Sequence, residues 1–219
     1  MKASSAVIPA VSNVPVRPLG ETAPDPGQRD RRVVYFGQIV PRRGIEEFLE
    51  LARLASERRE GLQFVLAGAT PDWAKPYWAQ ILNEARFAGC EIKLNLSMPE
   101  LSDVLQSAAF GYFPYPDGAS LKRGTLPAAL EHRLVLLTRW SAKTEPDVRA
   151  ATVEAASPGA ALAAIERLRV DAHMRSEREA SIDRFNRKYS LAAITDRYLE
   201  FYARFWPAAR PGHIKSAAA

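Results

Sequence analysis

Short apolar segments alternate with longer segments of helical periodicity from Val33 onward, and this rhythm constrains the fold more than any other feature of the sequence. The apolar segments are typical of buried strands and lie at 33–37, 62–67, 109–115 and 134–138. A strand of alternating pattern is predicted at 90–94, and a sixth short strand near Val153. Helical spacing predicts helices at about 45–59, 73–88, 99–107, 126–133, 158–169, 171–188 and 190–206. Strands that alternate with helices predict an α/β fold, with a doubly wound parallel sheet and closing C-terminal helices.

Composition divides the chain into three parts. Residues 1–32 are rich in Pro, Ser, Gly and charged residues, which predicts a linker or extended arm. Residues 33–206 carry the strand and helix pattern and predict one Rossmann-like domain, which a chain of 219 residues holds comfortably. Residues 207–219 are expected to form a flexible tail.

The net charge limits the kinds of partner that the sequence predicts, and the cysteine content indicates the compartment. The net charge of +5 suits a phosphorylated small molecule, nucleic acid or anionic lipid. The charges are spread along helices without a clustered basic face and aromatic platforms, so no nucleic-acid partner is predicted. The single cysteine, Cys90, excludes an internal disulfide and fits a reducing, cytoplasmic compartment.

Histidine spacing gives no sign of a metal site. His132, His173 and His213 are far apart and lack the spacing of metal ligands, so no metal is expected. We expect His132 to be a partly exposed helix residue.

Loops at the carboxyl ends of the strands are the places to look for a ligand site, because ligands of doubly wound sheets bind there. The first such loop, 37–44, holds Gly37, Arg42, Arg43 and Gly44 and opens onto a helix. Glycine permits close backbone approach and arginine matches phosphate oxygens. The alternative interpretation is a plain strand-to-helix turn with solvated arginines.

The loop 114–125 carries the stronger pattern. Its end places Lys122, Arg123, Gly124 and Thr125 at the start of a helix, with Thr125 expected as the N-cap. Cationic side chains and free amides at a helix start are typical of a diphosphate site. The alternative is a long capped loop without a ligand, and neither loop has the glycine spacing of a Walker A or dinucleotide motif.

Several segments, in this order, resemble a known family. They are YFGQIVPRRGIEEFLELA, FVLAG, MPELSDVLQSAAFGYFPYPDG, DGASLKRGTLPAALEHRLVLLT and the closing YSLAAITDRYLEFYARF. Their order and spacing over about 33–206 resemble the C-terminal, donor-binding domain of retaining GT-B-fold glycosyltransferases similar to glycosyltransferase family 4. AVIPAVSNVPV resembles the interdomain linker of such enzymes. The N-terminal, acceptor-binding domain is therefore expected to be absent from this chain or separately encoded.

The resemblance implies part of a transferase of polysaccharide biosynthesis, with a nucleotide sugar as donor and no metal or cofactor. The residues expected at the donor diphosphate are Gly37, Arg43, Lys122, Arg123, Gly124 and Thr125. Those expected at the donor sugar or base are Asp117, Ser120, Lys93 and Asn95, with the base near 93–97. The implied partners are a nucleotide sugar and an N-terminal acceptor domain or partner subunit, through which the chain would contact the inner face of a membrane.

Two of the departures from the family pattern fall at positions that contact the donor in that family. Ser120 and Ala128 stand where the family commonly has two glutamates that contact the donor sugar and the ribose. A subgroup with an Asp-Gly…Arg-Arg-Gly-Ser pattern resembles this chain more closely. The departures keep a second hypothesis open, a non-catalytic, degenerate module that binds a nucleotide or a partner protein. A third, a relative of response regulators or epimerases, would need an acidic cluster at the strand ends or an early GxxGxxG motif, and the sequence has neither.

Overall fold

A six-stranded, all-parallel sheet forms the centre of the computed structural model, which describes residues 9–18 and 25–205. The strands are β1 (Arg32–Gln38), β2 (Gln63–Ala69), β3 (Glu91–Leu94), β4 (Phe110–Phe113), β5 (Val135–Thr138) and β6 (Val153–Glu154). Their order across the sheet is β3-β2-β1-β4-β5-β6. The predicted fold class, a doubly wound parallel sheet of the kind that forms the Rossmann-like half of a GT-B fold, is confirmed.

Helices flank the sheet, and most lie where periodicity predicts them. They are α1 (Pro26–Arg29), α2 (Ile45–Glu57), α3 (Lys75–Phe87), α4 (Met98–Gln106), α5 (Thr125–Glu131), α6 (Pro146–Ala151), α7 (Pro158–Val170), α8 (Ala172–Tyr189) and α9 (Leu191–Phe205). Helix α2 packs against α7, and α8 packs against α5, α6 and α7. The short helices α1 and α6 are the two that the sequence pattern does not predict.

The strand order creates a crevice between β1 and β4. From β1 the chain winds outward through β2 to β3, and then returns to add β4, β5 and β6 on the other side of β1. The loops that leave the carboxyl ends of β1 and β4 therefore diverge and leave an opening between them, which is where doubly wound folds bind ligands. These two loops are 37–44 and 114–125, the two basic loops that the sequence singles out.

Aromatic rings hold the ends of β1 and β4 together beneath this crevice. The ring of Tyr35 lies 5.6 Å from Phe48 and 5.7 Å from Phe113, measured between centroids. Phe113 in turn lies 6.2 Å from Tyr115, in an edge-to-face arrangement. All four side chains are buried, so the floor of the crevice is a packed part of the core.

Residues 9–18, which we call the strap, lie against the same edge of the domain. The side chain of Val14 is buried in the core. The amide of Ala10 donates to the carbonyl of Leu121 at 2.8 Å, and the amide of Arg17 donates to Ser102 Oγ at 3.0 Å. Of the arm predicted for 1–32, residues 1–8 and 19–24 lie outside the described residues, as does the tail predicted for 207–219.

His132 is buried, and the expectation of a partly exposed residue is wrong. It lies at the end of α5 with 2% of its surface exposed. Its Nδ1 lies 2.7 Å from the carbonyl of Ala128, which only accepts, so Nδ1 carries the proton. Its Nε2 then accepts from Ser102 Oγ at 2.9 Å. Ser102 also accepts from the Arg17 amide, so a neutral His132 links α5, α4 and the strap.

We expect the stability of the domain to depend on pH through His132. Burial lowers the pKa of its imidazole below the usual 6.5. As pH falls below about 6.5, the imidazole therefore takes up a proton more readily in the unfolded chain than in the native one, so the free energy of unfolding falls. The slope approaches at most about 1.4 kcal/mol per pH unit. Urea unfolding between about pH 7.5 and 5.5 measures it, with the range chosen around the imidazole titration.

The variant His132→Gln is expected to lose this slope. The matched control is His173→Gln, because the His173 side chain is 86% exposed, and it should keep the slope of the natural chain. An undiminished slope in His132→Gln would show that another group carries the pH dependence.

Candidate functional site

The loops that follow β1 and β4 touch through their backbones. Gly44 has a left-handed φ of 78°, and a Cβ atom built there would lie 2.2 Å from the carbonyl oxygen of Pro114. No side chain fits at that distance, so the contact requires glycine. The hydroxyl of Tyr35 donates to the carbonyl of Arg43 at 3.3 Å, which holds the turn after β1 against its own strand.

A cavity of about 540 Å³ opens between these two loops. Eight of the ten predicted site residues line it, namely Gly37, Arg43, Asp117, Ser120, Lys122, Arg123, Gly124 and Thr125. The remaining lining residues are Val11 and Asn13 of the strap, Tyr35, Phe36 and Gln38 of β1, and Tyr115. Residues far apart in the sequence thus share one cavity at the point where the sheet reverses its winding.

The loop between β4 and α5 is fixed by hydrogen bonds along its length. The amide of Ala119 donates to the carbonyl of Arg139 at 2.8 Å, and Thr144 Oγ1 donates to the carbonyl of Ala119 at 2.8 Å. The amide of Leu121 donates to the carboxylate of Glu145 at 3.2 Å. The side chains that follow on this loop therefore start from a backbone that is already in place.

Three cations border the cavity. Arg43 and Lys122 are exposed, and their side chains have no hydrogen-bond or ionic partner among residues 9–18 and 25–205. Arg123 is more enclosed: its guanidinium pairs with the carboxylate of Asp117 and lies 4.9 Å from the centroid of the Tyr115 ring. The cavity therefore offers two unpaired cations and a third that an internal carboxylate neutralises.

Thr125 does not cap α5, contrary to the sequence expectation. The N-cap is Gly124, and Thr125 is the first residue of the helix. The threonine hydroxyl lies 2.7 Å from the hydroxyl of Tyr115, so it forms a hydrogen bond with the cavity floor and not with an amide at the start of the helix. The amides of Gly124 and Thr125 have no hydrogen-bond partner in the described parts of the chain. They remain available to an oxygen acceptor.

A second cavity of about 350 Å³ adjoins the first. Its wall is mostly apolar, and Phe36, Ala67, Leu96, Met98 and Leu101 are among its lining residues. Asn95 also lines it, at the carboxyl end of β3. This cavity therefore offers a mainly apolar surface that can contact the face of an aromatic ring.

Lys93 is not brought to either cavity. It lies within β3, and its ammonium group lies 2.9 Å from the carboxylate of Glu91. The two residues are two positions apart on one strand and so share a face of the sheet. The geometry thus gives no support to Lys93 as a site residue, whereas Asn95 stays a candidate.

The sequence interpretation missed the two tyrosines in the floor of the first cavity and the strap residues in its wall. Tyr35 and Tyr115 are both buried, and burial raises the pKa of each hydroxyl above its usual value. They are therefore neutral hydrogen-bonding groups and unsuited to act as bases. The hydroxyl of Tyr35 is a polar group within the otherwise apolar strand VVYFG, and this feature of the sequence could have identified Tyr35.

The described residues form neither a metal-binding cluster nor a membrane-spanning helix. Within 9–18 and 25–205, no group of three or more His, Cys, Asp or Glu side chains could hold a metal ion. None of the helices described there is long and apolar enough to cross a bilayer.

Solved structures share this fold, although no family model and no curated protein matches the chain. The C-terminal domain of LpcC, a glycosyl transferase group 1 family protein of Francisella tularensis, aligns with a TM-score of 0.56 and 12% identity over 75% of this chain and 93% of that one. HepE of Anabaena, in complex with UDP, aligns with a TM-score of 0.64 and 8% identity over 80% of this chain and 49% of that one. The pneumococcal O-GlcNAc transferase GtfA, in complex with UDP and GlcNAc, aligns with a TM-score of 0.62 and 12% identity over 90% of this chain and 38% of that one. At these identities the likeness is one of fold. The chain spans about half of HepE and less of GtfA.

From the ion pair between Asp117 and Arg123 we predict how removal of the carboxylate changes anion binding. We expect Asp117→Asn to bind inorganic pyrophosphate about two- to fivefold more tightly, because a pair near the surface is worth up to about 1 kcal/mol and Arg123 would no longer be neutralised. Calorimetric titration measures the affinity. Glu57→Gln is the matched control, since it removes one carboxylate at the far end of α2. Unchanged or weaker binding by Asp117→Asn, relative to this control, would contradict the prediction.

Proposed function

We propose that this chain is the donor-binding domain of a glycosyltransferase and holds a nucleoside-diphosphate sugar between β1 and β4. The observation that carries the proposal is the convergence of Arg43, Lys122 and Arg123 with two unpaired backbone amides in one cavity. Guanidinium groups, an ammonium group and free amides at a helix start are the groups that bind diphosphate oxygens.

The two adjoining cavities match the parts of such a ligand in order. The diphosphate occupies the first cavity, among the cations. The base occupies the second, where apolar side chains offer a surface for the ring and Asn95 lies at the rim. Asp117 and Ser120, on the loop after β4, also line the first cavity, and the proposal assigns them to the donor sugar. Similarity in fold to HepE and GtfA, each solved with UDP, supports this assignment.

The reaction proposed is retaining transfer of the sugar, as the resemblance to glycosyltransferase family 4 implies. As the bond between the sugar and the diphosphate breaks, negative charge grows on the departing phosphate oxygens. Arg43, Lys122 and Arg123 stabilise that charge, and they are held by an anchored loop and a closely packed turn. The proposed reaction uses no metal and no cofactor.

The acceptor side of the reaction is proposed to come from outside this chain. The chain spans about half of HepE, so an N-terminal acceptor domain or a partner subunit would complete the cleft. A role in polysaccharide biosynthesis, with the protein cytoplasmic and peripheral to the inner face of a membrane, follows from the same resemblance and is part of the proposal.

Arg123→Ala is expected to weaken binding of UDP or GDP about tenfold or more, because a charged hydrogen bond is worth about 1.5–3 kcal/mol. Calorimetric titration measures this. Arg58→Ala is the matched control, since this exposed arginine follows α2 at the end distant from the cavity, and it should bind as the natural chain does. Equal affinity of Arg123→Ala and Arg58→Ala would remove Arg123 from the donor site.

A second candidate is a module that binds a nucleotide without catalysis. Asp117 is the only carboxylate among the described residues that line the two cavities, and it is paired with Arg123. Ala128 is fully buried in α5, where the resembling family has a glutamate. Incubation of the full protein with UDP- and GDP-sugars separates the candidates: release of nucleoside diphosphate identifies a transferase, whereas tight binding without turnover in the presence of acceptor extracts identifies the module.

A further inference from the structure

The strap residue Asn13 lies where the two cavities meet. Five residues line both cavities, namely Asn13, Phe36, Gly37, Gln38 and Thr125. A ligand that extends from one cavity into the other must pass this shared wall. Any polar side chain in the wall would contact the middle of that ligand.

Three of the five shared residues have polar side chains, but they are not equally available. The hydroxyl of Thr125 is already engaged with the hydroxyl of Tyr115 at 2.7 Å. The carboxamides of Asn13 and Gln38 have no hydrogen-bond partner among residues 9–18 and 25–205, and both side chains are exposed to the cavities. A carboxamide both donates and accepts, and can therefore pair with two neighbouring hydroxyl groups.

Asn13 is held in place on both sides, because the strap is fixed before and after it. On one side the amide of Ala10 donates to the carbonyl of Leu121. On the other, Val14 is 1% exposed in the core, and its amide donates to Ser12 Oγ at 3.1 Å. The backbone at Asn13 is thus ordered before any ligand arrives, so binding costs little loss of backbone freedom.

We propose that the carboxamide of Asn13 binds the ribose hydroxyls of the nucleotide, so that the strap forms part of the donor site. This inference rests on the proposed function. In a nucleoside diphosphate the ribose stands between base and diphosphate. With the diphosphate among the cations of the first cavity and the base in the apolar second cavity, the ribose lies at the shared wall beside Asn13.

The test compares Asn13→Ala with the natural chain by calorimetric titration. The probes are UDP and GDP, their 2′-deoxy and 3′-deoxy counterparts, and inorganic pyrophosphate. Asn13→Ala is expected to bind the ribonucleoside diphosphate about two- to tenfold more weakly, the range for one or two neutral hydrogen bonds. Pyrophosphate affinity should not change, because that ligand has no ribose. At least one deoxy analogue should bind the natural chain more weakly, and should lose nothing further in Asn13→Ala.

Two control variants separate Asn13 from its surroundings. Val16→Ala changes an exposed strap side chain that lines neither cavity, and it should bind every probe as the natural chain does. Gln38→Ala removes the other available carboxamide, and it should keep the discrimination against the deoxy analogue. If Asn13→Ala binds UDP and GDP as the natural chain does, or if the discrimination disappears in Gln38→Ala instead, the role of Asn13 is overturned. Failure of the natural chain to bind UDP, GDP and pyrophosphate overturns the proposed function itself, and the Asn13 assignment with it.

Discussion

The close approach of Gly44 to the Pro114 carbonyl is the contact on which the candidate site depends. A Cβ atom at residue 44 would meet that oxygen at 2.2 Å, so only glycine allows the turn after β1 to touch the turn after β4. The contact fixes how far Arg43 stands from the loop that carries Lys122 and Arg123. With a wider separation, a diphosphate would contact one loop or the other. At the observed separation, one cavity is lined by all three cations.

The site is assembled from three segments that are far apart in the chain, 9–18, 37–44 and 114–125. The sheet brings the second and third together, because β1 and β4 are neighbours although three helices and two strands separate them in sequence. The first is added from outside the sheet and is tied down through Ser102, which also binds the imidazole of His132. The contacts that hold the strap on the domain therefore also position one wall of the cavity.

The sequence predicts those parts of the fold that depend on local pattern, and misses those that depend on distant partners. Strands β1, β2, β4 and β5 were predictable because apolar runs between helices are typical of buried parallel strands. Helix α6 was missed because six residues are too few to show a periodicity, although Pro146 at its start was a usable signal. Thr125 has the local pattern of a helix cap, and nothing in the neighbouring sequence shows that Tyr115 engages its hydroxyl. The pairing of Lys93 with Glu91 was predictable, because residues two apart on a strand share a face.

The pairing of Arg123 with Asp117 has a consequence for how binding responds to ionic strength. The carboxylate acts as an internal counter-ion, so in the proposed donor site an arriving phosphate would replace one anion by another at this guanidinium instead of releasing a mobile ion. Added salt screens the incoming phosphate and the resident carboxylate alike. The affinity for a phosphate ligand should therefore fall less steeply with salt concentration than it would if all three cations were unpaired. At Arg123, a small anion such as chloride would meet the same competing carboxylate, which would favour a multiply charged phosphate over chloride at this guanidinium.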